Sequence, residues 1–233
     1  MRDGENIRQV TELGVDWIGM IFWDKSPRNV TMIPTNAGII PDRANGQLPV
    51  ANGQWKRVGV FVDEMAQNIV TRVFNYKLDL IQLHGNESPT LIRNLRATLD
   101  PDIRPGIKII KAIRVGSRDD IAEYKTYEDC VDYFLFDTKV SAVGHASKRD
   151  DTAATLESTA HYGGSGQQFD WSVLDAYDGD VPFLLSGGIG PDDAERVRNF
   201  HHSKCIGIDL NSRFETEPGI KDINRLKQFL EQL

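Results

Sequence analysis

Apolar residues along this chain fall into two patterns. Seven short runs, DWIGMIF, RVGVFV, LDLIQLHG, IKIIKAIRV, VDYFLFDTK, VPFLLSGG and CIGIDLNS, are apolar with little alternation. Such runs suit parallel strands covered on both faces, since a strand with one wet face would alternate apolar and polar positions. Between them, apolar residues recur at helical spacing in EMAQNIVTRVFNYK, SPTLIRNLRATL, PDDAERVRNF and IKDINRLKQFLEQL. Weaker helical candidates are Thr35 to Ile40, Arg118 to Tyr124 and Trp171 to Ala176. The chain also opens on a helix, with Asp3 as its start, Ile7, Val10, Thr11 and Leu13 as its approximate stripe and Gly14 as its stop.

Strands alternating with helices predict an α/β fold with a parallel sheet. Eight helices and seven strands are one strand short of a (βα)8 TIM barrel. The missing element is strand 1, because in a series of βα repeats a leading helix implies a strand before it. The chain has 233 residues, 40% of them hydrophobic, enough for one sizeable core, so residues 1–233 read as one domain. Two segments break the rhythm, about 41–55, rich in Pro, Gly and Asn, and about 140–162, polar and rich in small residues. Both read as surface loops. The second follows a strand end, the side on which barrels carry their catalytic loops, and is either a lid or a neutral insertion.

Charge and cysteine content narrow the class of partner. The net charge of −7, with basic residues scattered, points away from nucleic acid and towards a small-molecule substrate. No apolar stretch has membrane-spanning length and the first thirty residues lack the regions of a signal peptide, which predicts a cytoplasmic protein with no membrane association. Cys130 and Cys205 have no CxxC spacing and are too few for a disulfide framework, so free thiols are expected.

Candidate chemistry lies at the carboxyl ends of the predicted strands: Arg28 in KSPRNV, His84, Asp137, the SGG of Ser186 to Gly188, and Asp209 to Ser212. YGGSGQQFDW has three glycines in four residues, and LSGGIGPDDA runs from a strand into a Pro-started helix. Glycines let backbone N–H groups approach an anion closely, which makes these late loops a candidate phosphate site. Each residue also has a plainer reading. The Gly-rich loops are possible turns, Asp137 a cap or an ion-pair partner of Lys139 or Lys111, His84 a strand cap, and Arg28 a solvated charge. His201 and His202 have no acidic or cysteine partners in sequence and are not read as a metal site.

Taken in order, MRDGENIRQVTELGVDWIGMIFWDKSPRNV, RVGVFVDE, IQLHGNES, FLFDTK, YGGSGQQFDW, LLSGGIGPDDA and GIDLNSRFETEPGIKD resemble the phosphoribosylanthranilate isomerase family of tryptophan biosynthesis. The resemblance covers nearly the whole chain apart from the two loops. It implies a (βα)8 barrel that converts N-(5-phosphoribosyl)anthranilate to 1-(2-carboxyphenylamino)-1-deoxyribulose 5-phosphate by an Amadori rearrangement, without cofactor or metal. By the same resemblance Asp137 is the general acid, Arg28 pairs with the anthranilate carboxylate, Asp209 binds a sugar hydroxyl and His84 is a substrate-binding residue of less defined part. Gly164, Ser165, Gly166, Gly187, Gly188 and Ser212 surround the phosphate. A monomer or homodimer is expected.

The resemblance also sharpens the missing-strand expectation. In the family the first strand has the form Lys-x-Cys-Gly and its cysteine is the catalytic base; this chain begins just after that motif, which implies an absent base and an inactive chain as it stands. Cys130 lies seven residues before Asp137 on the same predicted strand, roughly 23 Å away at strand rise, and Cys205 likewise precedes the active end of its strand. Arg213 and Phe214 stand where the family commonly has a small Ser-Gly-type turn. Two other readings stay open: a non-catalytic phosphate-ligand-binding relic, and another phosphate-binding barrel such as indoleglycerol-phosphate synthase, although no lysine constellation resembling the latter is seen at the strand ends.

Overall fold

The structure is a computed structural model that describes residues 1–35, 38–41, 55–100, 102–139 and 170–233. Each of the seven apolar runs forms a strand: β1 (Trp17–Ile21), β2 (Lys56–Phe61), β3 (Leu80–Leu83), β4 (Lys108–Val115), β5 (Tyr133–Thr138), β6 (Phe183–Leu185) and β7 (Cys205–Ile208). They build one seven-stranded sheet in chain order, and every neighbouring pair is parallel. Residues from six of the seven strands, all but β4, line a common cavity, so the sheet curls and its concave face becomes an interior.

Helices flank and connect the strands: α1 (Gly4–Thr11) before β1, then α2 (Ala66–Tyr76), α3 (Pro89–Leu99), the short α4 (Arg118–Ile121) and α5 (Ala194–Arg198) between strands, and α6 (Ile223–Leu230) after β7. Their starts follow from the local sequence. The Asp3 side chain accepts the Asn6 N–H at 2.7 Å and caps α1, and Ser88 accepts from Leu91 while Pro89 occupies the first turn of α3, where no N–H is needed.

Two predicted helices take other forms. Met32–Thr35 and Gly38–Pro41 pair as an antiparallel two-stranded ribbon, in place of a helix over Thr35 to Ile40. Pro34, Gly38 and Pro41 break helical hydrogen bonding there, while Ile33, Thr35, Ile39 and Ile40 are β-branched. Trp171–Ala176 is a 3₁₀ segment, and the helix expected from Arg118 continues past Ile121 as a 3₁₀ turn, Ala122–Thr126. The loops expected at about 41–55 and 140–162 lie outside the described residues, apart from Pro41 and Trp55 at the ends of the first.

Two layers of apolar packing hold this arrangement. The larger lies between the sheet and the helices and includes Phe61, Ile69, Val73, Ile92, Leu95, Phe134 and Phe136, all buried. The smaller, Val58, Leu80, Ile110, Ala112 and Leu135, fills the concave side. Because successive strand residues face opposite ways, Leu80 and Leu135 plug the floor of the curled sheet. Residues two and four further on, Gln82 with His84 and Asp137, then face the cavity above them.

Candidate active site

That two-residue period assembles a polar chain across four strands. The Gln82 amide nitrogen donates to His84 Nδ1 at 3.0 Å, which leaves the imidazole proton on Nε2 facing Asp137 Oδ2 at 3.2 Å. Asp137 Oδ1 accepts the Thr138 N–H at 2.9 Å and lies 3.4 Å from the Ser186 hydroxyl. Ser186 Oγ is also 3.1 Å from Asp209 Oδ2. Burial pushes the Asp209 carboxyl up, with the charge of Asp137 adding to this and that of Lys221 opposing it. Gln82, His84, Asp137, Ser186 and Asp209 all line a cavity of about 670 Å³.

A second group forms the wall nearest the start of the chain. Arg28 binds Glu215 side-on, with Nη2 at 2.8 Å from Oε2, and Lys221 Nζ lies 3.6 Å from Glu215 Oε1. Lys221 Nζ also donates to the carbonyls of Leu210 at 3.0 Å and Asn211 at 2.9 Å. Burial lowers the Lys221 ammonium, although the charges of Glu215 and Asp209 work the other way. For Glu215 burial acts upwards, but the Arg28 hydrogen bond and the Lys221 charge outweigh it and hold the carboxyl below its ordinary range.

Backbone conformation defines the third wall. Gly187 and Gly188 both have positive φ, 93° and 68°, and both line the cavity with Ser212. A Cβ on Gly187 would run into Thr138 Oγ1 and its backbone nitrogen. The strand end at Ser186 therefore turns sharply, and only glycine fits the turn. Gly164, Ser165 and Gly166, the other expected phosphate residues, lie outside the described residues.

Other candidates resolve into structural roles. Lys111 Nζ is buried and donates to Gly85 O at 2.7 Å and Glu87 Oε2 at 3.2 Å, while Glu87 Oε1 accepts the N–H groups of Asp63 and Gly85. This buried pair clamps the turn that carries His84. Lys139 pairs with Asp120 at 2.5 Å, so neither lysine weighed as a partner of Asp137 is paired with it. His202 packs edge-on against Phe183 and its Nε2 meets Tyr177 O at 3.3 Å. Phe214 is buried against Phe229, and the Arg213 chain passes so near Gly190 that a Cβ there would meet its Cδ at 2.8 Å. Burial pushes both the Cys130 and the Cys205 thiol up, and neither lines the cavity.

The structure thus brings Arg28, His84, Asp137, Gly187, Gly188, Asp209 and Ser212 around one cavity. Sequence reasoning passed over Gln82 and Lys221 as members of it, and Glu215 as the partner of both Arg28 and Lys221. For Gln82 a signal existed: it is a polar interruption of LDLIQLHG in phase with His84.

The family model for N-(5′-phosphoribosyl)anthranilate (PRA) isomerase matches residues 1–232. A relative from Parabacteroides distasonis, N-(5′-phosphoribosyl)anthranilate isomerase, is 42% identical over 100% of this chain and 90% of its own length. Phosphoribosyl anthranilate isomerase from Thermotoga maritima superposes with a TM-score of 0.71 at 27% identity, covering 100% of this chain and 94% of that one. A solved structure of such an isomerase in complex with reduced 1-(o-carboxyphenylamino)-1-deoxyribulose 5-phosphate gives 0.68 at 25% identity, with the same coverage. The expected loss of strand 1 is not borne out by these comparisons, in which this chain is matched over its whole length. At the outer edge of β1, the buried Met1 donates its amine to the carbonyl of Gly19, so that edge is engaged there.

Proposed function

Because the chain belongs to the N-(5′-phosphoribosyl)anthranilate isomerase family, we propose that the cavity above is where it carries out the reaction of that family. The protein isomerises N-(5′-phosphoribosyl)anthranilate to 1-(2-carboxyphenylamino)-1-deoxyribulose 5-phosphate in tryptophan biosynthesis. The reaction opens the ribose ring by protonating its oxygen, removes the C2′ proton, and returns a proton to C1′ as the ketone forms. It needs an acid, a base and an anchored substrate, and no redox partner.

In this reading Asp137 is the acid. The observation that carries it is the contact of Asp137 with His84 at 3.2 Å, inside the cavity and between a guanidinium on one side and a glycine turn on the other. Arg28 takes the anthranilate carboxylate, for which a guanidinium fork is suited. Gly187, Gly188 and Ser212 offer donors to the phosphate, joined by Gly164, Ser165 and Gly166, and Asp209 holds a sugar hydroxyl. His84, fixed by Gln82, orients Asp137. Cys130 and Cys205 stand away from the cavity, so neither is assigned as the base.

The finer organisation goes with this reading: a single (βα)8 barrel domain, monomeric or homodimeric, acting in the cytoplasm on a phosphorylated small molecule without a cofactor. The test is a fluorescence assay of substrate consumption on the purified chain and on Asp137→Asn. The amide keeps the shape of the carboxyl but has no acidic proton, so turnover should fall by 10²-fold or more on the order expected for a lost general acid, with product-analogue binding within about tenfold. Parental turnover in Asp137→Asn would remove Asp137 from the mechanism.

A further inference from the structure

The Ser186 hydroxyl has one proton and two carboxylates to serve. Its oxygen stands 3.1 Å from Asp209 Oδ2 and 3.4 Å from Asp137 Oδ1. If both carboxylates were ionised, one of these oxygen–oxygen approaches would lack a hydrogen between them. A second proton on the trio removes the conflict: protonated Asp209 donates to Ser186 Oγ, and Ser186 donates to Asp137. The opposite side of Asp137 is already served, since His84 Nε2–H points at Oδ2 and the Thr138 N–H at Oδ1. Ser186 is therefore the only bonded neighbour, among the described contacts of Asp137, that leads on to another carboxyl.

From this geometry, and resting on the reading of Asp137 as the acid, we propose that Asp209 and Ser186 form a proton relay that supplies Asp137 with the proton it delivers in each turnover. The isomerisation moves two hydrogens. One goes from C2′ to C1′ by way of the base. The other goes from the C2′ hydroxyl, which becomes the ketone, to the ring oxygen, which becomes a free hydroxyl. The relay carries the second. Asp209 passes its proton to Ser186 Oγ while the hydroxyl proton of Ser186 moves to Asp137 Oδ1. Asp137 hands the proton it receives to the ring oxygen as the bond from C1′ to that oxygen breaks. The Asp209 carboxylate left behind takes the proton of the C2′ hydroxyl as the carbonyl forms. Both aspartates end the cycle as they began, and no proton is drawn from water. Burial of Asp209, which favours its protonated form, is what such a donor requires. The charged and titratable groups around it are Asp137, His84 and Lys221.

The test compares Ser186→Ala, Ser186→Thr, Asp209→Asn and the double variant Ser186→Ala with Asp209→Asn. A relay predicts that Ser186→Ala lowers kcat at least about tenfold with KM within threefold, that Thr restores most of it, and that the double variant is no slower than the slower single one. Infrared difference spectra of parent against Asp209→Asn, taken at neutral pH without substrate, should show a protonated carboxyl band that shifts in Ser186→Ala. Parental kcat in Ser186→Ala, an Asp209→Asn that changes KM alone, or no protonated carboxyl in the parent would each overturn the relay. Asp137→Asn separates the two levels: if it is inactive while Ser186→Ala is parental, the relay alone fails, and if it is active the assignment of the acid fails too.

Discussion

Arg28 and Glu215, 187 residues apart in sequence, meet in a fork in which Nε lies 3.1 and 2.8 Å from the two carboxylate oxygens. The contact uses one edge of the guanidinium and leaves the Nη1 corner for the cavity that Arg28 lines. Glu215 thus holds the cation in place without neutralising its whole donor set.

Arg28→Ala is expected to weaken substrate binding by about 2 kcal/mol, the worth of a charge-assisted hydrogen bond, which is roughly a thirtyfold rise in KM. The turnover number should change far less, since the group binds and does not react. Initial-rate kinetics over a wide substrate range check this; an unchanged KM would remove Arg28 from the substrate contacts.

The same pair sets an acid limit to stability. Glu215 is held below its ordinary range, so it contributes stability that is complete above the unfolded value, about 4.3, and lost as pH falls through the lower folded value. Melting temperatures of the parent and of Glu215→Gln should therefore converge as the pH drops below about 4 and stay apart at neutral pH. A difference independent of pH would mean that the carboxylate charge is not what stabilises the site.

Lys111 and Glu87 are a buried pair, each side chain 1% exposed. Lys111→Met strands a carboxylate in the interior, which should cost roughly 3–5 kcal/mol in urea unfolding. Adding Glu87→Gln should recover part of that loss, because the two changes share one interaction. Additive losses would show that the two residues act separately.

Gly187→Ala forces a side chain into a backbone with φ of 93° and against Thr138. A loss of about 1–2 kcal/mol from the conformation alone is expected, and the turn should shift away from the cavity. Inorganic phosphate and a product analogue should both bind the variant more weakly by isothermal calorimetry; parental affinity for both would separate this turn from the phosphate.

The strands were legible because each reads as a short apolar run, most of them covered on both faces, although β7 leaves Ile206 exposed. The ribbon at Met32–Thr35 and Gly38–Pro41 was not, because its prolines and β-branched residues were outweighed by the expectation of a helix after a strand. Site residues at strand ends were visible by type, as with His84 and Asp137. Inside apolar runs, Gln82 showed only as a polar break in phase with His84, and Lys111 was visible as a charge whose partner, Glu87, was not. Glu215 and Lys221 gave no local sign at all, since what defines them is a partner brought near only by the curl of the sheet.

Strict chain-order pairing of the strands also governs how the molecule opens. β4 and β5 share six paired positions, Ile110 to Val115 against Tyr133 to Thr138, and each has a further neighbour on its other side. β6 offers only three residues, and its register against β7 shifts between Phe183 and Leu184. Amide hydrogens in the middle of the sheet should exchange with deuterated solvent only through large openings, whereas those of β6 and β7 should exchange through local fraying. Ser186 and Asp209 follow the two strands that loosen first, and Asp137 ends a strand that loosens late. Substrate bound across that boundary would slow exchange on the β6 and β7 side in particular, making solvent protection of those two strands a direct measure of occupancy.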